Sequence, residues 1–309
     1  MKIIECMDLN KTFKKNKALS NFNFNLYDHD IYGLVGPNGA GKSTFLKIIA
    51  GHIIKDSGQI SIFDQNLDNL GNKKAGIGFL IEKPAFYSYM TGKEALKYIA
   101  DLKKIKFSLD DEIIDEFNMR EHLNKKIKSY STGMRMRLGI IAACIGKPRI
   151  LILDEPINGL DPEGIIELRN FLKRINKEWN TSIIVSSHIL SELSLITNRI
   201  GFIKNGSMIE EISKEELDEK TQNYIQVTSN EEDLAQVVNT IENDLKINNY
   251  KVLADNVVRV FDDFDMFNFQ KILVGKGIYL MGISRERLSL EDYYISLVGE
   301  EKWDMLFWI

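Results

Sequence analysis

Short apolar runs alternate with stretches of helical periodicity through the first two thirds of the chain. The runs at Ile31–Val35, Ile150–Leu153 and Ser182–Ser186 are dominated by Ile, Leu and Val. Strands with almost continuous apolar residues, interleaved with helices, are typical of a parallel sheet that is buried on both faces. The pattern therefore predicts an α/β fold with a mainly parallel sheet.

The pattern becomes helical between Lys83 and Gly146. Thr91-Gly-Lys-Glu94 stands before an apolar-periodic run and has the form of a capping box, in which the first and fourth residues satisfy each other's backbone N–H groups. We expect a helical subdomain at about residues 83–146, inserted into the sheet domain.

A second pattern begins after the charge-rich stretch Ser213–Gln222. The predicted elements are strand Asn223–Thr228, helix Glu231–Leu245, strand Tyr250–Ala254, strand Val257–Phe261, helix Phe264–Leu273 and strand Ile278–Ile283. Their order is β-α-β-β-α-β, which is that of a split βαβ or ferredoxin-like arrangement. We therefore predict two domains, a sheet domain at residues 1–212 and a small α+β domain at residues 213–309.

Composition narrows the possible functions. A formal charge of −4 over 309 residues gives no basic surface for neutralising nucleic-acid phosphates, so no nucleic-acid partner is expected. The two cysteines, Cys6 and Cys144, are far apart and argue against a disulfide framework or a zinc site. The N-terminus lacks the apolar region of a signal peptide, and no run approaches the ~18 apolar residues of a membrane span, so we expect a cytoplasmic protein.

A phosphate-binding loop follows the first apolar run. The segment matches the P-loop pattern GxxxxGK[ST] between a strand and a helix, and it comprises Gly36, Pro37, Asn38, Gly39, Ala40, Gly41, Lys42, Ser43 and Thr44. Glycines let backbone N–H groups turn toward phosphate oxygens, and the helix N-terminus adds partial positive charge. Lys42 is expected to bridge the β and γ phosphates and Ser43 to bind Mg²⁺. The loop alone leaves open whether the chain is a GTPase, kinase, helicase or transporter ATPase.

Two carboxylates end the apolar strand Ile150–Leu153. Asp154 is expected to hold Mg²⁺ through its water shell, and Glu155 to act as the general base for the attacking water. An Asp-Glu pair after a strand could also be a turn with solvated acids. The upstream P-loop favours the nucleotide site, with ATP and Mg²⁺ as the cofactors.

Three further motifs identify the family of P-loop proteins. Tyr130-Ser131-Thr132-Gly133-Met134 begins a helix about twenty residues before the strand of Asp154, Asn158-Gly-Leu-Asp161 follows Glu155, and Ser186-Ser187-His188 ends the next strand. Together with the P-loop and Asp154-Glu155, these motifs resemble the ABC ATPase cassette in order and spacing. The resemblance covers residues 1 to 212 and implies that family's cassette fold.

The resemblance also implies roles for individual residues. Phe13 matches the aromatic residue that stacks on adenine, although the sequence alone allows it equally to be a core residue. Asp161 matches the loop that crosses the dimer interface, and His188 the switch histidine that contacts the γ-phosphate. Ser131 and Gly133 match the signature residues that cap the nucleotide held by the opposite subunit.

The chain departs from the cassette pattern in two places. The signature usually reads Leu-Ser-Gly-Gly-Gln, and here Tyr130, Thr132 and Met134 differ. The serine and the close-approach glycine are kept, so the phosphate contact is expected to survive, whereas no glutamine is present to make the last contact. Where the cassette has a Gln before the helical subdomain, this chain has Glu82. We expect Glu82 to reach Mg²⁺ and the attacking water; it could equally serve only as a flexible joint.

Several segments resemble a particular branch of bacterial ABC ATPases, which is linked to export of and immunity to bacitracin and lantibiotics. These segments are Leu80-Ile-Glu-x-Pro-x-Phe-Tyr, Ser-Thr-Gly-Met and the ending Ser289-Leu-Glu-Asp-Tyr-Tyr. The resemblance implies an ATPase that works as an ATP-sandwich dimer of two copies and powers a separate transmembrane permease, peripherally at the inner face of the membrane. Because the permease would hold the substrate contacts, the transported molecule cannot be read from this chain.

The alternative is a soluble ABC ATPase that acts on the ribosome or on DNA. Ribosome-binding members normally carry two cassettes, and DNA-repair members carry long coiled coils within the cassette. One P-loop, one signature and about a hundred residues between them favour transport.

Overall fold

The structure, a computed structural model, describes residues 1–67, 76–221, 223–287 and 290–298. The chain divides into two compact units, Met1–Lys214 and Glu215–Ile309.

The first unit begins with an antiparallel sheet that the hydrophobic pattern did not predict. Its strands are β1 (Lys2–Phe13), β2 (Asn16–Tyr27), β4 (Ser57–Ile62) and β5 (Gln65–Asn66), in the order β2-β1-β4-β5. Phe22, Phe24 and Leu26 alternate with less buried residues along β2 and face the core. Their period of two is the usual signal of a half-buried strand.

The second sheet of this unit contains the predicted parallel core. It comprises β3 (Ile31–Val35), β6 (Ile77–Leu80), β7 (Ile150–Asp154), β8 (Ser182–Ser187), β9 (Arg199–Lys204) and β10 (Ser207–Ser213). The order is β10-β9-β3-β8-β7-β6, and only β10 pairs antiparallel with its neighbour. Every residue of β3, β7 and β8 is buried. The prediction of a mainly parallel, doubly covered sheet is confirmed.

Helices connect these strands. They are α1 (Lys42–Ile49), α2 (Gly92–Lys103), α3 (Glu112–Glu116), α4 (Thr132–Cys144), α5 (Pro162–Glu178) and α6 (Leu190–Ser194), and α7 (Lys214–Lys220) spans the division between the units. The predicted capping box is confirmed, because Thr91 Oγ1 accepts from Glu94 N at 3.2 Å and Glu94 Oε2 accepts from Thr91 N at 2.8 Å. Helices α2, α3 and α4 lie between β6 and β7 along the chain.

The second unit contains an antiparallel sheet with two helices in its connections. Its elements are β11 (Asn223–Thr228), α8 (Leu234–Asn239) continued by a π turn at Thr240–Asp244, β12 (Tyr250–Val252), β13 (Val257–Val260), α9 (Met266–Gly275), β14 (Gly282–Arg287) and α10 (Leu290–Val298). The strand order is β12-β13-β11-β14. Ser289, at the start of the last quoted motif, lies outside the described residues.

One strand of this unit was predicted in the wrong place. We expected a strand at Ile278–Ile283, whereas β14 covers Gly282–Arg287. Ile278 N donates to Leu273 O at 2.9 Å, and Gly277 has a φ of 77°, so the chain at this point closes the end of α9. The buried Ile278 is therefore a helix-capping contact and not a strand residue.

Candidate functional site

The phosphate-binding loop connects β3 to α1 and depends on its glycines. Gly41 has a φ of 112°, and a Cβ at this position would lie 2.6 Å from Ala18 O. A Cβ on Gly36 would clash with Ile203 O. Only glycine fits both positions, so the backbone N–H groups of the loop stay directed around the start of α1, where a helix attracts anions.

Lys42 is the first residue of α1, and its side chain is only 4% exposed. Its Nζ donates to Gly36 O at 2.6 Å and to Pro37 O at 3.3 Å. These two carbonyls hold the ammonium over the loop, in reach of an anion bound there.

The carboxyl ends of β7 and β8 bring the predicted acids together. Asp154 is buried, and its Oδ1 accepts from Ser186 Oγ at 2.5 Å. The same Oγ accepts from Glu155 N at 3.0 Å. Glu155 has a φ of 50°, in the left-handed region that non-glycine residues seldom adopt and that is often found at active sites. Ser186 thus fixes Asp154 and the backbone of Glu155 at once.

Glu155 joins the loop to the end of β8. Its Oε1 lies 3.3 Å from Lys42 Nζ, and its Oε2 lies 2.8 Å from His188 Nδ1. Because a carboxylate only accepts hydrogen bonds, Nδ1 carries a proton in this contact. Three residues predicted from separate motifs therefore form one continuous chain of polar contacts.

Asp154 and Glu155 border a cleft of about 410 Å³, whereas Lys42 and His188 contact Glu155 without being among the residues that line it. It is lined by Ser43, Glu82, Lys83, Pro84, Thr132, Arg135, Met136, Asp154, Glu155 and Asn158. The three predicted metal ligands, Ser43, Glu82 and Asp154, all lie on it. Hydroxyl and carboxylate oxygens are the ligands that Mg²⁺ prefers, so the cleft has suitable chemistry for that ion.

Glu82 makes a contact that sequence reasoning missed. It has a φ of 64° and accepts a hydrogen bond from Lys47 Nζ, on α1, as part of an ion pair. The Glu82 side chain is 62% exposed. The pair joins residues 35 positions apart, so no local pattern could have indicated it.

The signature segment is anchored on both sides of its serine. Ser131 Oγ accepts from Met134 N at 3.1 Å and caps α4. Tyr130 is buried, its O–H donates to His122 O at 2.7 Å, and a Cβ on Gly92 would clash with its hydroxyl. Burial raises the pKa of Tyr130 above its ordinary value. Tyr130 is therefore an internal anchor of this segment.

The structure does not bring all predicted nucleotide contacts into the cleft of one chain. Thr132 lines the cleft, whereas Ser131 and Gly133 do not. Gly133 instead lies beside the loop after Glu155, and a Cβ there would be 3.1 Å from Gly159 O. Asp161 occupies the N-cap position of α5 and accepts from Arg137 Nη2 at 3.2 Å.

Phe13 also lies away from the lining of the cleft. It ends β1 with 44% exposure, and Lys11 Nζ is 5.3 Å from the centroid of its ring. Because the Phe13 side chain is exposed, the interpretation of Phe13 as a core residue is excluded.

A second, apolar cleft of about 450 Å³ shares Lys83 and Pro84 with the first. Its remaining lining consists of His52, Phe79, Leu80, Ile81, Ala85, Phe86, Ile99, Leu102, Lys103, Gly139, Ala142 and Ala143. Lys103 Nζ donates to the carbonyls of Ala142, Ala143 and Ile145, each at 3.3 Å, and burial lowers the pKa of Lys103. Phe79 and Leu102 remain 39% and 63% exposed, so this cleft is open to a partner.

Sequence comparison places these residues among known proteins. The ABC transporter family model matches residues 19–158, and a model for an AAA domain, putative AbiEii toxin, Type IV TA system, matches residues 126–194. The bacitracin transport ATP-binding protein BcrA of Bacillus licheniformis is 36% identical over 302 residues, which are 96% of this chain and 97% of the relative. The lantibiotic transport ATP-binding protein SrtF of Streptococcus pyogenes is 37% identical over 207 residues, 67% of this chain and 89% of the relative.

Solved structures agree on the fold. The ATP-binding subunit of an ABC transporter superposes with a TM-score of 0.63 at 26% identity, covering 71% of this chain and 92% of that one. A dimeric ATP-binding cassette in a post-hydrolysis state, bound to ADP and Pi, gives a TM-score of 0.63 at 23% identity, covering 68% and 98%. Among the described residues, no helix is both long and apolar enough to cross a membrane.

Proposed function

This chain belongs to the family of ABC transporter ATP-binding proteins, and we propose that it binds ATP with Mg²⁺ in the cleft at the ends of β7 and β8 and hydrolyses it to drive a separate permease. The observation that carries the proposal is the position of Glu155, between the P-loop lysine at 3.3 Å and His188 at 2.8 Å. We assign nucleotide binding to residues 1–212, with residues 83–146 as the helical subdomain.

The loop residues Gly36–Thr44 would hold the triphosphate. Their backbone N–H groups and the N-terminus of α1 favour an anion, and the buried Lys42 adds a full positive charge. Lys42 already lies against Glu155, so a γ-phosphate that binds Lys42 replaces one oxygen of that carboxylate. Phosphate binding therefore frees Glu155 to accept a hydrogen bond from water.

Ser43, Asp154 and Glu82 would hold Mg²⁺, because their oxygens share the cleft. Asp154 Oδ1 is taken by Ser186, which leaves Oδ2 for the ion or its water shell. When bound, the ion neutralises charge that develops on the phosphate oxygens.

Glu155 would act as the general base. The water oxygen attacks the γ-phosphorus, the bond from that phosphorus to the bridging oxygen breaks, and the electron pair stays on the β-phosphate of ADP. The water proton passes to Glu155. His188, hydrogen-bonded to Glu155 Oε2, would orient the carboxylate, and we assign its ring to the γ-phosphate.

A second copy of the chain would complete the site. Ser131 and Gly133 do not line the cleft of their own chain, yet Ser131 caps α4 at an N-terminus suited to an anion. We assign them to the nucleotide of the partner copy, with Asp161 in the crossing loop. We assign the exposed ring of Phe13 to the adenine base.

The apolar cleft beside the nucleotide site would receive the permease. Exposed Phe79 and Leu102 offer an apolar contact. Because Lys83 lines both clefts, a segment docked there would lie next to the nucleotide cleft. The chain would then work at the inner face of the membrane. Similarity to proteins named for bacitracin and lantibiotic transport supports a peptide antibiotic as the substrate of the assembly.

The test is Glu155→Gln, which keeps the shape of the side chain and removes its basicity. We expect turnover to fall by about 10²-fold or more, the usual scale for a general base, while ATP and Mg²⁺ binding are kept and an ATP-bound dimer accumulates. Glu178→Gln, which makes the same acid-to-amide change at an exposed position of α5, is the control. Near-normal hydrolysis by purified Glu155→Gln protein, with contaminating ATPase excluded, would refute the assignment.

A further inference from the structure

Arg137 links the signature helix to the loop that we assign to the dimer interface. It lies on α4, six positions after Ser131, and its Nη2 is 3.2 Å from Asp161 Oδ1 and 3.1 Å from Glu167 Oε2. The same nitrogen therefore donates a hydrogen bond to Asp161 and makes an ion-pair contact with Glu167, whose buried Oε2 has no hydrogen-bond partner in the described part of the chain. Gly164 makes room for this contact, because a Cβ there would lie 2.7 Å from Asp161 Oδ1 and 2.9 Å from Arg137 Nη2.

Asp161 is diverted from the role that its position suggests. An Asp at an N-cap normally accepts from a backbone N–H of the first helical turn. Here the side chain of Asp161 makes no capping hydrogen bond, and Arg137 holds it instead. The contact with Arg137 thus determines where this carboxylate points.

The two carboxylates differ in how easily they can leave Arg137. Asp161 is 63% exposed, whereas Glu167 is 17% exposed, like Arg137 itself. Exposed ion pairs contribute little, whereas separating a buried pair is costly. Asn118 Nδ2 also fixes Glu167 Oε1 at 2.7 Å. Asp161 is therefore the mobile member of the group.

Arg137 has an unused hydrogen-bond donor, which suits a move from Asp161 to Glu167 as its main partner. Its Nε is buried and, within the described part of the chain, has no acceptor. A guanidinium binds a carboxylate best through two parallel N–H groups. If Asp161 leaves, Arg137 can turn both Nε and Nη2 toward Glu167.

We propose that Arg137 is a positioning residue that directs Asp161 in the free chain and transfers to Glu167 when Asp161 engages a second copy. The inference rests on the proposed ATP-dependent dimer. Arg137 then couples two elements that face the partner, the signature helix and the Asp161 loop, so that both reach the partner's nucleotide together.

Arg137→Gln tests the proposal, with Arg169→Gln as its matched control. Arg169 forms a comparable half-buried ion pair with Glu192 at 2.7 Å, and its Nε likewise has no acceptor in the described structure. We expect Arg137→Gln to lower kcat and ATP-dependent dimerisation about tenfold, a size usual for coupling within one polar network, with KM for ATP within about twofold. Arg169→Gln should lower the melting temperature to a similar degree and leave dimerisation unchanged.

Two further variants separate positioning from folding. Arg137→Lys keeps the charge without the planar fork, so it should retain the melting temperature and only partly restore dimerisation. Asp161→Asn combined with Arg137→Gln should be no worse than the more severe single variant. The proposal is overturned if Arg137→Gln dimerises and turns over like the wild type, or if the Arg137 and Asp161 effects simply add. Failure of the wild-type chain to dimerise with ATP would instead refute the proposed function.

Discussion

The ion pair between Lys47 and Glu82 sets up two substitutions with opposite effects on the Mg²⁺ requirement. Glu82→Gln removes a charge that we assign to the Mg²⁺ site, whereas Lys47→Met leaves that charge in place and removes its competing partner. Both residues lie outside the P-loop pattern, so neither change alters the phosphate-binding backbone.

The size of each effect follows from exposure and charge. Because the Glu82 side chain is 62% exposed, the dielectric constant of water applies to its interactions. In water, two unit charges 4 Å apart attract by about 1 kcal/mol, and a carboxylate and a divalent ion by about 2 kcal/mol. An exposed ion pair such as the one with Lys47 contributes up to about 1 kcal/mol, which Mg²⁺ must overcome. Glu82→Gln should therefore cost about 1 kcal/mol net and raise the half-maximal Mg²⁺ concentration about fivefold, and Lys47→Met should lower it by up to about fivefold.

The assay is ATPase activity titrated with Mg²⁺ at fixed total ATP, for the wild type and both variants. Lys173→Gln, which removes an exposed lysine of α5, controls for the loss of a positive charge. Superimposed Mg²⁺ curves for the wild type and Glu82→Gln would show that Glu82 is only a joint. A shift of both variants in the same direction would refute the competition between Lys47 and the ion.

Three other predictions concern Gly133 in the signature, Ser186 beside Asp154, and the buried Cys144. Gly133→Asp should abolish ATP-dependent dimerisation in light scattering while monomer ATP affinity is kept. Gly133→Ala, whose tightest contact is Gly159 O at 3.1 Å, should dimerise more weakly than wild type but far better than the aspartate variant. Ser186→Ala should lower the free energy of unfolding by about 1–3 kcal/mol in urea titrations, because the buried Asp154 Oδ1 loses its donor; an unchanged midpoint would contradict this. Burial raises the pKa of the Cys144 thiol from 9.0 to about 12, because the folded protein favours the neutral thiol. The contribution of this neutral thiol to the free energy of unfolding is full below pH 9 and is lost as the pH rises toward 12. Cys144→Ala should therefore lose less stability than wild type between pH 8 and 11, and parallel pH profiles would exclude this cause.

The sequence predicted those parts of the site whose residues are adjacent along the chain. The P-loop and the Asp154-Glu155 ending each combine an apolar strand with polar residues in a fixed local order, so pattern and structure agree. Even the meeting of Asp154 and Ser186 follows from topology, since these residues are register partners at the carboxyl ends of parallel strands. The motif Ser186-Ser187-His188 does not by itself indicate a role for Ser186, because only the pairing of β7 with β8 shows what its hydroxyl reaches.

Other features depend on packing between distant segments. The antiparallel sheet was missed because β1 contains several register shifts, which interrupt the period of two along a long strand. The contacts of Lys47 with Glu82 and of Arg137 with Asp161 join residues 35 and 24 positions apart, and no spacing rule links them. The last strand was misplaced because a buried Ile278 has the same hydrophobicity in a helix cap as in a strand.

The buried Tyr130 restricts which residue can occupy position 92. Its hydroxyl, held by His122 O, occupies the space that a side chain at position 92 would need. The leucine that usually begins the signature has no hydroxyl, so it would remove this clash and leave the side chain of Leu123, 3.3 Å away, as the tightest neighbour of a methyl group at the start of α2. Residues 92 and 130 are therefore expected to change as a pair among relatives, so that a tyrosine at the signature is inherited together with a glycine at the helix.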